Sequence, residues 1–193
     1  MNVVLFLFVV ILEAAAQSST IVAPRNLLTN TDAGNDLNSW QASGDATVEE
    51  FNGNRCFVVR NGGRHTQEVR LPESATPGFL VFVGHGSVSR VDPESGITDR
   101  PYLCGLMKTA DGRQIVGYNQ GETMRSRVTE RDVWAKLWGV FEVVPDTSRV
   151  TFQMSQGLRR GIPHDGSAAR FDDVGLFLFA NRNDAEAFVE RYR

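Results

Sequence analysis

The chain has 193 residues, of which 41% are hydrophobic, and a formal net charge of −3. That length suits one domain with short appendages, and that hydrophobic content excludes disorder as the main state. The near-neutral balance argues against binding nucleic acid by phosphate neutralisation and against a polybasic membrane-surface protein. Only two lysines, Lys108 and Lys136, stand against 18 arginines.

Val3 to Leu12 is an unbroken apolar run, followed by Ala14-Ala15-Ala16 and Gln17. Ten apolar residues are too few to span a bilayer, which needs about 20. Small residues at the −3 and −1 positions fit a signal-peptide cleavage site after Ala16. Residues 1–16 are therefore read as a signal peptide and 17–24 as the lead-in of the mature chain. No Lys or Arg precedes the run, and the alternative is a buried N-terminal strand. Export implies a secreted, periplasmic or extracellular protein with no membrane span in the mature chain. It also changes the reading of Cys56 and Cys104, the only cysteines. In an oxidising compartment they are a candidate disulfide, worth roughly 4 kcal/mol in the chain-entropy model. Two buried free thiols on separate strands are the other reading.

From residue 25 onward, short apolar or alternating runs recur: Thr47–Phe51, Cys56–Arg60, Thr66–Leu71, Phe79–Val91, Tyr102–Thr109, Gln114–Tyr118, Val133–Val144, Arg149–Ser155 and Phe171–Phe179. Turn formers separate them, among them Asn52-Gly53-Asn54, Asn61-Gly62-Gly63, Asp111-Gly112 and Pro145-Asp146. Many evenly spaced strands predict an all-β sandwich or barrel. In Arg149–Ser155, Val150, Phe152 and Met154 alternate with polar residues, so one face is buried and one is wet. Asp111-Gly112 predicts a tight hairpin. Asp92–Arg100 and Asn119–Asp132 are polar and read as long loops. Over 181–193, Asn183-Asp184 is expected to cap a short helix from Ala185 to Tyr192.

Three stretches, in order, carry a resemblance. They are Asn26-Leu27-Leu28-Thr29-Asn30 with Leu37-Asn38-Ser39-Trp40; Val133-Trp134 through Phe141 to Val144-Pro145; and Arg170-Phe171-Asp172-Asp173-Val174-Gly175-Leu176. Together they resemble the galactose-binding-like jelly rolls, among them secreted carbohydrate-binding modules, over residues 25–180. The resemblance implies an antiparallel jelly-roll β-sandwich with the last strand beside the first, and Trp40 and Trp134 in the core. It also implies a structural Ca²⁺ held by carboxylates and carbonyls, with Asp172 at the closing-strand position and Asp32 as a substitute ligand. The usual N-terminal Glu position is Gly34 here.

Catalytic patterns are missing from the sequence. His65, His85 and His164 lack metal-ligand spacing, and Gly84-His85-Gly86-Ser87 is not a nucleophile elbow. Glu49-Glu50 and Asp172-Asp173 are adjacent on strands, so each pair splits between faces. A distant pair such as Glu68 and Glu142 is what a hydrolase would need. The resulting expectation is a non-catalytic carbohydrate-binding module. Flat aromatics would carry the sugar and polar side chains its hydroxyls. The candidates are Trp138, Tyr102, Tyr118 and His85, with Asn119, Gln120 and Arg113. Alternation puts Trp138 on the same face as Trp134, so either both are buried or the strand bulges at Gly139. The alternative expectation is an extracellular or envelope protein-interaction domain, using arginines around Arg125, Arg127 and Arg131.

Overall fold

The computed structural model describes residues 24–90, 101–119, 128, 130–156 and 166–192. The expected signal peptide, the Asp92–Arg100 loop, Gln120 and most of the second polar loop lie outside the described residues. Among the described residues, eight antiparallel strands, one α-helix and a short 3-10 turn at Glu73–Ala75 make up the regular structure: β1 (Gln41–Phe51), β2 (Asn54–Arg70), β3 (Phe79–Val88), β4 (Pro101–Lys108), β5 (Gln114–Asn119), β6 (Ala135–Glu142), β7 (Arg149–Gln156), β8 (Ala169–Phe179) and α1 (Arg182–Tyr192). Their hydrogen-bonded order is β5-β4-β7-β2-β8-β3-β6, with β1 on β2.

The long strand β2 turns this path into two layers. Its first half pairs with β8 over Phe57–Val59, and its second half pairs with β7 over Arg64–Arg70. β1 follows it on the other edge, with a register break between Ser43 and Asp45. Asn61-Gly62-Gly63 is therefore not the turn expected from its composition. It is a bend within one strand, where Gly62 takes φ +79° and the strand passes from one layer to the other. β5, β4, β7 and the end of β2 form the first layer, and β6, β3, β8 and the start of β2 form the second.

The core between the layers follows strand alternation. Leu80 and Phe82 from β3 and Phe171 and Leu176 from β8 meet Leu103 and Met107 from β4 and Val150, Phe152 and Met154 from β7. The Phe82 and Phe152 rings stack across the layers at 5.5 Å and 15°. Trp40 closes one end against Phe57 and Phe152, as expected, and its indole Nε1 donates to the Asn30 carbonyl at 2.8 Å. Asn26 explains the first motif. Its Oδ1 accepts from the Leu28 and Leu176 backbone amides at 3.1 and 3.0 Å, and its Nδ2 donates to the Val174 carbonyl. One side chain thus ties the start of the domain to the closing strand. His65 is a core residue, with Nε2 3.0 Å from the Val58 carbonyl, and burial lowers its pKa.

α1 begins three residues earlier than expected. Asn181 caps it, its Oδ1 accepting from the Asp184 amide at 2.9 Å. Ala185, Phe188, Val189 and Tyr192 pack on Val81, Val83 and Phe179, covering the outer face of the second layer. Phe188 meets the Phe177 ring at 4.7 Å and the Phe179 ring at 5.4 Å.

The expected disulfide is not formed: Cys56 and Cys104 are both free and buried. Cys56 alternates with Phe57 on β2 and joins Val58, Ala168, Phe51 and Trp134 outside the second layer. Cys104 alternates with Leu103 on β4, in the first layer. Packed layers lie roughly 10 Å apart, beyond the Cα separation a bridge tolerates. Burial raises both thiols to about 11. Since the thiolate is the reactive form, a chromogenic disulfide reagent at pH 8 should label neither cysteine in the folded chain. In denaturant without reductant it should label both, and an unlabelled denatured chain would restore the bridge.

Candidate functional site

The two outer faces differ. Beyond the helix, the second layer carries the Cys56 cluster, with the Phe51 and Trp134 rings 6.0 Å apart and Arg170 over the Phe51 ring at 3.8 Å. Most of this face is covered by the chain itself. On the outer face of the first layer, no described helix or strand packs over the side chains.

Alternation decides which side chains that outer face presents. β4 turns Leu103 and Met107 inward and therefore Tyr102, Cys104, Leu106 and Lys108 outward. β7 presents Arg149, Thr151, Gln153 and Ser155, and β2 presents Arg64, Thr66, Glu68 and Arg70. Register sets these in rows: Tyr102, Ser155 and Arg64; Cys104, Gln153 and Thr66; Leu106, Thr151 and Glu68; Lys108, Arg149 and Arg70. Tyr102 is half-buried, Thr151 and Ser155 are buried between their neighbours, and Arg64 is exposed. The Glu68 carboxylate accepts from Lys108 Nζ at 2.9 Å and Arg149 Nη1 at 3.1 Å. These cations, Lys108 foremost, hold its pKa below the usual carboxylate value.

The candidates named from sequence do not share one surface. Tyr102 lies half-buried on the outer face of the first layer. Tyr118 and Asn119 are on the neighbouring β5, in register with Gly105 and Cys104, and Arg113 is exposed in the β4–β5 hairpin. Trp138 and His85 belong to the opposite layer. β6 pairs regularly with β3 from Glu142 to Ala135, so no bulge separates Trp134 from Trp138. Both face outward and both are half-buried, Trp134 in the Cys56 cluster and Trp138 against the cluster under α1. Trp134 is thus not the core residue the resemblance implies. The His85 Nδ1 sits 3.4 Å from Asp173, and its ring is 6.1 Å from Tyr192. Glu68 and Glu142 lie on different layers, and so do not face each other across a cleft. Of the three arginines offered for protein contacts, Arg131 alone is described, and its Nε donates to Asp132 at 2.9 Å.

Reading single strands missed Arg64, Thr66, Arg70 and Gln153. The alternation of β2 and β7 held that signal, because every second residue there is polar. Their assembly into rows needed the pairing.

The implied calcium site fits poorly. Among the described residues, no three His, Cys, Asp or Glu side chains are grouped to hold a metal. Asp32 Oδ1 accepts from the Gly34 amide at 3.0 Å and Asp172 Oδ1 from the Asp173 amide at 2.9 Å. Burial, with Asp173 and Asp32 nearby, raises the Asp172 pKa, and Gly34 supplies no third carboxylate. A divalent cation prefers several charged oxygens.

No protein-family model matches the chain, and no curated protein matches it. Solved structures do resemble it. The CBM22-1 xylan-binding domain from Paenibacillus barcinonensis Xyn10C aligns with a TM-score of 0.52 at 15% identity, over 83% of this chain and 98% of that one. The enzymatically active domain of bacteriophage CBA120 tailspike protein 4 aligns with a TM-score of 0.53 at 14% identity. That alignment covers 80% of this chain, which spans only 21% of the tailspike chain. At such identities the likeness concerns the fold. The chain has the galactose-binding-like jelly-roll fold found in carbohydrate-binding modules.

Proposed function

We propose that this chain is a non-catalytic module that binds poly- or oligosaccharide outside the cytosol, on the outer face of its first layer. The observation that carries the reading is the contrast between faces. One is sealed by α1, while the other presents Tyr102 beside Gln153, Thr66 and Arg64 in adjacent register rows. An apolar ring flanked by a few placed hydrogen-bonding groups suits a sugar, whose CH-rich face stacks while its hydroxyls bond. The fold shared with a xylan-binding domain supports the same reading. No helix among the described residues is long and apolar enough to cross a membrane.

The test is binding by the full chain to a panel of neutral and acidic polysaccharides, read by affinity electrophoresis and calorimetry. Tyr102→Ala is expected to weaken binding about tenfold, close to 1.4 kcal/mol. Wild-type affinity in that variant would move the site off this face. Baseline mobility of the wild-type chain across the whole panel would overturn carbohydrate binding itself.

A further inference from the structure

Among the described residues, the outer face of the first layer carries an excess of positive charge. Its strands present, among the described residues, Arg64, Arg70, Lys108 and Arg149 against one carboxylate, that of Glu68, on a chain whose net charge is −3. Three of these cations stand in one row, Lys108 opposite Arg149 and Arg149 opposite Arg70. Like charges directly across neighbouring strands destabilise a sheet. Glu68 relieves only part of this. One of its oxygens accepts from Lys108 and the other from Arg149. Arg70 makes no hydrogen bond or ion pair among the described residues.

The row ends in a cleft of about 300 Å³ lined by Arg70, Leu71, Ala110, Ser148 and Arg149. Ser148 adds a second unmet demand: its Oγ is buried without a hydrogen-bond partner. An unsatisfied buried hydroxyl costs about 1–3 kcal/mol, so such a group calls for an explanation. The side chains at this cleft offer two guanidiniums, and among the described residues no carboxylate lines it. Guanidinium forks bind planar or tetrahedral oxyanions with two parallel hydrogen bonds. The volume suits one substituted sugar, at the small end of ligand sites. Six residues of strand, roughly 20 Å, separate this row from the row of Tyr102. A chain of sugars can therefore stack at one end and place a charged group at the other.

We infer that the cleft between Arg70, Ser148 and Arg149 holds the acidic group of an anionic glycan, a uronate carboxylate or a sulfate ester. The inference rests on the carbohydrate reading and narrows its substrate class. Arg70 and Arg149 grip the oxyanion, and Ser148 forms the wall of the cleft beside them. Arg149 keeps its contact with Glu68 through the remaining guanidinium hydrogens.

Two matched pairs of polymers test this at physiological salt, where diffuse attraction is screened. Polygalacturonate is compared with its fully methyl-esterified form, and dextran sulfate with dextran. At least one acidic polymer is expected to bind about tenfold or more tightly than its neutral partner. Preference in the first pair assigns a carboxylate, and in the second a sulfate. Arg70→Gln should bring the acidic-to-neutral affinity ratio close to unity. Arg191→Gln removes the same charge from exposed α1, over the opposite layer, and should leave the ratio intact. Equal binding of acidic and neutral partners would overturn the inference and leave the carbohydrate reading standing. So would loss of preference in both variants, which would mark it as a net-charge effect. Binding to none of the four, or to any other glycan of the panel, would remove both readings.

Discussion

Phe82→Ala is expected to destabilise the fold by about 3–5 kcal/mol, the range for truncating a fully buried phenylalanine. The ring is 0% exposed and lies flat against Phe152. Phe141 meets it edge-on at 5.0 Å. It also fills the space that Gly105 leaves on β4, where a Cβ would overlap the Phe82 ring. This one side chain therefore bridges β3 in the second layer to β4 and β7 in the first. The cavity left by alanine has rigid strands on every side and little means of collapse. Urea unfolding followed by tryptophan fluorescence measures the loss as a lower midpoint at unchanged slope. A shift equivalent to under about 1 kcal/mol would show that the layers are held together elsewhere. Adding bulk from the other side, with Gly105→Ala, is expected to cost about 1–3 kcal/mol through overpacking.

Gly63→Ala should cost about 3 kcal/mol, at the upper end for overpacking, because the obstruction is backbone. A Cβ there would overlap the Asp45 carbonyl and press on that of Arg60 at 3.0 Å. Neither can swing aside as a side chain would. The site is the bend where β2 leaves β8 for β7 while β1 shifts register alongside. Displacing β1 there disturbs both layers at once. A chain of this size should lose roughly 10 °C of melting temperature for that energy. Gly53→Ala, in the β1–β2 turn, provides the contrast. A Cβ there meets nothing, so only the φ of +82° penalises it, by about 1 kcal/mol. Equal losses at the two positions would mean that chain conformation, not close approach, governs the bend.

Much of this protein was written locally. Alternation in Arg149–Ser155 separated core from solvent before any pairing was known, and the strand count predicted a sandwich. Asn26 and Trp40 were legible as motif residues, and the structure supplies their reason: hydrogen bonds to Leu176 and Asn30. The misreadings have a common source. Asn61-Gly62-Gly63 has the composition of a turn, yet β1 on one side and β7 and β8 on the other keep β2 extended through it. Trp134 and Trp138 have core-like composition, but their outer face is apolar because α1 and Phe51 shelter it. Cys56 and Cys104 are a tempting pair by count and are kept apart by the thickness of the sandwich.

The sequence by itself determined which residues share a face of each strand, because a period of two is a property of the local chain. It also determined the terminal helix and the fold class, while the count of nine runs fell to eight strands because Cys56–Arg60 and Thr66–Leu71 are continuous in β2. Only the tertiary structure decided which faces meet solvent. It decided, too, that Tyr102, Gln153, Thr66 and Arg64 lie together, and that Lys108, Arg149 and Arg70 form one row. Those neighbours come from positions up to 91 residues apart, as in the pairing of Arg64 with Ser155, which also pairs with Tyr102. Register across such separations is set by the packing of the whole core, and no local pattern encodes it.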